Sequence, residues 1–252
     1  FLAESCPLQL VRRLEEYPDA HPSSLWHQLV GLGWTGLVIP EKYGGLGGSF
    51  SDLVVLLEET GRALLPGPFF STVVLFCLPL LSFSSEGQKQ GILEQVAAGR
   101  ITGSLALTES SGGYYPSDVQ TFATKNQDQF SLTGTKLFVT DASISDYLLV
   151  TAATNATANE TSSVSLFLVD IATNGLWISE LDTLAKDRQS QVIFDKAVVP
   201  AANILGDLHH GWPLISQTLD WAAVAKCAEI LGSSQAILEM VVDYTKQRTQ
   251  FD

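Results

Sequence analysis

The chain has 252 residues, 46% of them hydrophobic, enough apolar material for one large folded unit or two to three small ones. That composition excludes a disordered chain, and a formal net charge of −13 excludes a protein that follows nucleic-acid phosphates with a basic face. Cys6, Cys77 and Cys227 are scattered, odd in number and outside any CxxC or Cys/His cluster, which implies reduced thiols, a cytoplasmic location and no metal centre.

Residues 1–100 read as helices. Residues 6–17 are amphipathic, with Leu8, Val11 and Leu14 one turn apart. Ser23 and Ser24 can cap a helix over 25–32, which Gly33 stops. Residues 34–40 read as an extended apolar segment. The loop EKYGGLGG at 41–48 lacks the lysine and Ser/Thr of a P-loop, so it reads as a tight turn that lets backbone pack closely. Ser51 or Asp52 can cap the next helix, whose apolar stripe is Leu53, Leu56, Leu57 and Thr60. Glu58 and Glu59 point about 100° apart on that helix, so they are not a catalytic carboxylate pair. The stretch FFSTVVLFCLPLLSF at 69–83 is nearly uncharged. It falls short of the ~20 apolar residues of a membrane span and contains Pro79, so it reads as a buried helix. Residues 86–98 form the last helix of this part, with Ile92, Val96 and Ala97 inward. No secretory leader is visible, and Phe1 falls inside a helical pattern, so the natural N-terminus is expected upstream.

From Ile101 the apolar period changes to two. SLALTESSGGYY at 104–115 runs from an apolar segment through Thr108-Glu109 into a small-residue turn. Further short strands are predicted at 119–125, 129–133, 136–140, 147–152, 164–170 and 191–199, with turns at 126–128 and Gly134. Their number and spacing predict a central antiparallel barrel or sandwich. The ends of 104–115 and of KLFVTDAS at 136–143 read as neighbours that hold a flat, hydrogen-bonding ligand. Residues 154–163 are a polar loop, and the sequons at Asn155 and Asn159 are taken as chance. His209-His210 reads as a surface turn. A long helix is predicted over 214–248, with Cys227, Leu231, Leu238, Val241 and Tyr244 along one face. A lone helix of that kind needs neighbours from further chain or from a partner. The class is therefore α+β: a helical unit at 1–100, a β unit at 101–207, and the start of a helical bundle at 208–252.

Five ordered stretches resemble the acyl-CoA dehydrogenase family. Residues 25–64 are similar to its N-terminal helical domain. SLALTES at 104–110 resembles the start of its TEPGAGSD segment, and GTKLFVTDASISDYLLVTA at 134–152 resembles GxKxWITNG. VIFDKAVVPAANILG at 192–206 and the helix at 228–251, ending in R-x-QF, are similar to the elements that follow. The resemblance implies FAD as cofactor and α,β-desaturation of an acyl-CoA thioester. The implied partners are the acyl-CoA substrate, further dehydrogenase subunits in a homo- or hetero-oligomer, and an electron-transfer flavoprotein as acceptor. It places Leu107, Thr108, Phe138 and Thr140 against the flavin ring, and Arg248 with Phe251 at the pyrophosphate of a neighbouring subunit. Taken alone, the two threonines read as strand residues, Phe138 as core and Arg248 as a helix-end charge.

The sequence departs from the family pattern in three places. SSGGYY replaces the proline-glycine-x-glycine-serine-aspartate turn, so the phosphate-binding serine falls on Tyr114. Near Asp220 the family carries an arginine facing the substrate, and here Trp221-Ala222-Ala223 follows. No catalytic base is assigned, because the family's glutamate lies in the C-terminal bundle, downstream of Asp252. Two readings follow: an FAD-dependent dehydrogenase, or a non-catalytic dehydrogenase-like subunit that scaffolds a catalytic partner.

Overall fold

The computed structural model describes residues 1–16, 23–154 and 163–250. The expected helix end at Tyr17, the sequons at Asn155 and Asn159, and Phe251 lie outside the described residues. The first half is helical: α1 (Leu2–Ser5), α2 (Leu8–Glu16), α3 (Ser23–Gly31), α4 (Phe50–Arg62), a π-helical segment (Ser71–Cys77) continuing into α5 (Leu78–Phe83), and α6 (Glu86–Ala97). The stretch expected to be extended after Gly33 instead turns tightly as a 3-10 helix at Trp34–Gly36. Thr35 Oγ1 donates to Ala97 O at 2.8 Å, and the amides of Leu46 and Gly48 return to Gly36 O and Leu37 O. The glycine-rich loop thus folds back onto the segment before it. A Cβ at Gly45 would lie 2.0 Å from Ile39 O, so glycine is required there.

Helix α4 begins earlier than expected because Ser49 caps it. The Ser49 hydroxyl accepts from Asp52 N at 3.2 Å, while the Asp52 carboxylate accepts from Ser49 N at 2.8 Å. This reciprocal box satisfies two amides that the helix leaves unpaired. Leu53, Leu57 and Thr60 are buried, as their spacing predicts. The apolar stretch is buried helix, with Val73, Val74, Phe76 and Leu80 fully covered. Burial pushes the Cys77 thiol up to about 12. Pro79 sits just past the junction where the π-helical segment passes into α5. Among the described residues no helix is long and apolar enough to cross a membrane.

Eight described strands follow: β1 (Gly103–Ala106), β2 (Phe122–Asn126), β3 (Gln129–Thr140), β4 (Tyr147–Ala153), β5 (Val164–Asp170), β6 (Leu176–Leu181), β7 (Gln189–Pro200) and β8 (Ile204–Leu205). They form one sheet in the order β6-β7-β3-β2-β4-β5-β8, with β1 pairing β4. Most pairs are antiparallel, but β1 runs parallel to β4, and so does Phe122 of β2 at its contact with Ala153. Two predicted strands merge into β3. Gly134 is an irregularity within it at φ +152, where a Cβ would lie 2.6 Å from Thr121. β6 was not expected: its apolar residues are only partly covered, and Trp177 is left exposed on its outer side. Phe130, Leu132, Leu148, Val150, Phe167, Val192 and Phe194 fill one face of the sheet. Leu105, Leu149, Leu166 and Leu168 on the other face pack against Phe76, Leu80, Leu93 and Ile215. At this junction a Cβ on Gly103 would lie 2.4 Å from the Phe76 ring, so only glycine lets β1 seat on the π-helical segment.

Helix α7 (Gly211–Gln247) closes the described chain. Its buried residues are Gly211, Ile215, Thr218, Ala225, Ala228 and Gly232. The face expected to be covered, from Cys227 through Leu231, Leu238, Val241 and Tyr244, is exposed. Where α7 crosses α4 the two backbones nearly touch. A Cβ at Gly61 would lie 2.1 Å from Glu229 O, and one at Gly232 would lie 1.8 Å from Glu58 O.

Candidate functional site

The site grows from the place where the chain leaving β1 meets the last turns of β3. Leu137 N donates to Thr108 O at 2.8 Å, which fastens the two expected ligand-facing segments to each other. Lys136 Nζ donates to Leu107 O at 3.3 Å, to Glu109 Oε1 at 2.6 Å and to Thr151 Oγ1 at 2.8 Å. Glu109 also accepts from the amides of Gln120 and Thr121, at 2.9 and 3.0 Å. The lysine has no solvent exposure and the glutamate is 6% exposed. Burial pushes the ammonium down to about 8, and Glu109 beside it offsets part of that descent. The pair is saturated with partners, the condition a buried charge needs.

Beyond Lys136 the strand carries a bulge. Lys136 faces Val192 and Val139 faces Ser190, so β3 has two residues where β7 has one. The extra residue drives Phe138 into the left-handed region at φ +52 and turns its ring outward, 59% exposed. A bulky side chain at positive φ costs about 1–2 kcal/mol. Such strain gathers at functional sites. Thr108 is half-buried, and its hydroxyl has no hydrogen-bond partner among the described residues.

Thr140 and Asp141 lie on the wall of a cleft of 1140 Å³ between α4, the segment after it, the β6–β7 connection and α7. Thr60, Phe70, Arg188 and Lys226 line it as well. Thr140 Oγ1 and the Gln189 amide exchange hydrogen bonds at 3.2–3.3 Å. Asp141, at φ +55, has its carboxyl 2.6 Å from Ser71 Oγ. Burial raises that carboxyl above its ordinary value, and the Ser71 hydroxyl opposes part of the rise. Lys226 Nζ stands 3.8 Å from the centre of the Phe70 ring and 2.5 Å from Glu229. On the other side of the β3 end, Glu109, Ser110, Thr121 and Leu137 line a smaller hollow of 550 Å³. An outward aromatic ring, an unpaired half-buried hydroxyl and a second threonine two residues on fit a planar ring system with a hydrogen-bonding edge.

Leu107 and Thr108 are therefore joined to β3 just before Phe138, while Thr140 lies further along the strand on the wall of the cleft. The other expected site residues lie elsewhere. Tyr114 is 56% exposed in a turn built around Asp118, whose carboxylate accepts from Tyr115 N. Gly113 makes room for that carboxylate, since a Cβ there would lie 2.0 Å from it. Asp220 is exposed and outside the cleft lining. Arg248 caps the exposed end of α7 and bonds the Tyr244 hydroxyl. It lies about 22 Å along the helix axis beyond Ser233, the last α7 residue of the cleft. Among the described residues no His/Cys/Asp/Glu cluster could hold a metal.

The sequence reading missed Lys136, Asp141 and Ser71. One signal was available: alternation along β3 puts Lys136 on the inward face with Phe130 and Leu132, where a lysine needs a carboxylate. Nothing in the sequence brought Ser71 to Asp141.

Residues 1–100 match the model of the acyl-CoA dehydrogenase N-terminal domain, and residues 104–197 match that of the middle domain. The probable acyl-CoA dehydrogenase YngJ of Bacillus subtilis is 33% identical over 235 residues, 91% of this chain and 62% of its own. The butyryl-CoA dehydrogenase structure from Megasphaera elsdenii superposes with a TM-score of 0.83 at 31% identity, covering 90% of this chain and 62% of that one. An acyl-CoA dehydrogenase from Geobacillus kaustophilus gives a TM-score of 0.92 at 25% identity, over 100% of this chain and 67% of its own. The chain thus spans less than two thirds of the length of YngJ.

Proposed function

The chain belongs to the acyl-CoA dehydrogenase family, and from that premise we propose that it holds FAD and serves the α,β-desaturation of an acyl-CoA thioester. The observation that carries the reading is the joint between Leu107-Thr108 and the Phe138 bulge, next to a cleft wide enough for a substrate. FAD, when bound, would accept the hydrogen lost from the β-carbon together with its electron pair. Thr108 and Thr140 would hold the polar edge of its ring, and Phe138 would cover one end of it and exclude water. Phe70, Leu65 and Ile230 give the cleft its apolar wall for an acyl chain. Neither carboxyl at this joint is assigned as the base for the α-proton, since Asp141 is engaged by Ser71 and Glu109 by Lys136.

Arg248 lies too far along α7 to serve the cleft of its own chain, so the same reading assigns it to the pyrophosphate of a neighbouring subunit. Guanidinium–phosphate pairing suits that role. The exposed apolar face of α7 supports an oligomer or a fuller bundle around that helix. An electron-accepting flavoprotein completes the expected set of partners.

The test is optical. Protein reconstituted with FAD should be yellow after gel filtration and should bleach anaerobically with an acyl-CoA. Thr140→Ala and Arg248→Ala should each retain less flavin. Colourless protein that supports turnover only when mixed with a catalytic subunit would move the assignment to the scaffold reading. Protein that takes up no flavin alone or with a partner would refute both.

A further inference from the structure

We propose that the buried Lys136–Glu109 pair sets the electrostatic environment of the flavin edge as well as its geometry, with the two charges acting in opposite directions on its reduction. This rests on the flavin assignment above. The lysine is a positioning residue: it reaches the proposed cofactor contacts through the carbonyl of Leu107, while the next amide, Leu137 N, holds Thr108 O. Two consecutive residues of β3 thus grip two consecutive residues after β1.

The pair is poorly explained as fold stabilisation alone. A buried ion pair is weak evidence for stability, and apolar residues of the same volume do as well or better. Here a full positive charge with no solvent exposure is held on the inward face of β3, two residues before the outward Phe138 ring. The neighbouring buried hydroxyls of Thr121 and Thr151 differ in a telling way. Thr151 is bonded to the lysine, whereas the Thr121 hydroxyl has no partner among the described residues, although its amide is bonded to Glu109. The site is organised around charge, and in low dielectric a charge acts over a longer range than at the surface. Reducing a flavin adds electrons to its ring. A nearby cation favours that and a nearby anion opposes it.

The signs give the test. Lys136→Met leaves Glu109 unbalanced and should lower the midpoint potential of the bound flavin. Glu109→Gln removes the group that offsets the burial of Lys136, so measured well below pH 8, where the ammonium keeps its proton, it should raise the potential. The double variant should return towards wild type. The measurement is an anaerobic dithionite titration of the FAD-loaded protein against a reference dye, at FAD concentrations that saturate each variant. A purely structural pair would loosen the joint in both single variants, moving both potentials the same way or neither, and either result overturns the proposal. If a single variant fails to fold, the other single variant compared with the double variant retains the sign test. Absence of flavin from the wild-type protein would refute the function assigned above, which is a separate outcome.

Discussion

The α4–α7 crossing gives the sharpest quantitative prediction. Replacing an exposed helical glycine by alanine stabilises a helix by about 1 kcal/mol. Gly232→Ala should do the opposite. Its Cβ would sit 1.8 Å from Glu58 O, whereas ordinary contact begins at 3.4 Å. The obstacle is backbone on a neighbouring helix, so no rotamer change relieves it. The helices must separate by about 1.6 Å, which lifts Ala225 and Ala228 away from the cluster containing Leu53 and Leu57. Overpacking of this kind costs about 1–3 kcal/mol, and a rigid backbone obstacle puts this site at the upper end. The net loss should be about 2 kcal/mol after the propensity gain. Gly91→Ala in α6 is the control, because nothing lies within 4 Å of its added Cβ. Equilibrium urea unfolding should show a lower midpoint for Gly232→Ala and a higher one for Gly91→Ala, with unchanged slopes. Equal stabilisation by both substitutions would show that the crossing is looser than described and would refute the reasoning.

Phe138→Gly should relieve the left-handed strain and leave stability within about 1 kcal/mol of wild type, yet weaken FAD retention; unaltered retention by spectrophotometry would remove Phe138 from the site. Asp141 supplies a pH prediction. Its folded carboxyl keeps its proton above the ordinary value of 3.8, at which the unfolded chain releases it. As pH rises through 3.8 towards the folded value, the unfolded state binds fewer protons than the folded state, so stability falls. Asp141→Asn should flatten that fall when unfolding free energies are compared from about pH 4 to about pH 7, and an identical slope would contradict the buried-acid assignment. Ser49→Ala should cost about 1 kcal/mol through loss of the α4 cap, measured by the same urea assay.

Much of the helical half was legible because its signals are local. The period of Leu53, Leu57 and Thr60 and the all-apolar stretch around Val73–Phe76 need no partner to be interpreted. The errors also have local causes. Ser51 and Asp52 looked like caps, but Asp52 is the third residue of a box headed by Ser49. The stretch after Gly33 has the composition of a strand, yet it turns because Thr35 is bonded to Ala97 and the glycine loop returns its amides to it. The large apolar stripe on α7, expected to need neighbours from further chain or a partner, is exposed, and the described contacts run along another face. Close backbone approach selects Gly232, Ala228 and Ala225, residues that a search for large apolar side chains passes over.

The site divides along the same line. Thr108 and Thr140 were singled out through motif and position, and the structure adds the bond from Leu137 N to Thr108 O that ties their two segments together. What sequence could not reach was register. Alternation already turns Lys136 inward, and one extra residue after it sends Phe138 outward and Val139 inward again. Without that bulge, alternation alone would carry Lys136, Phe138 and Thr140 together to the inward face. The lysine could then still meet Glu109, but the aromatic ring would be lost to the core. The strained backbone at Phe138 is thus what lets one strand anchor a buried ion pair and, two residues later, turn an aromatic ring outward.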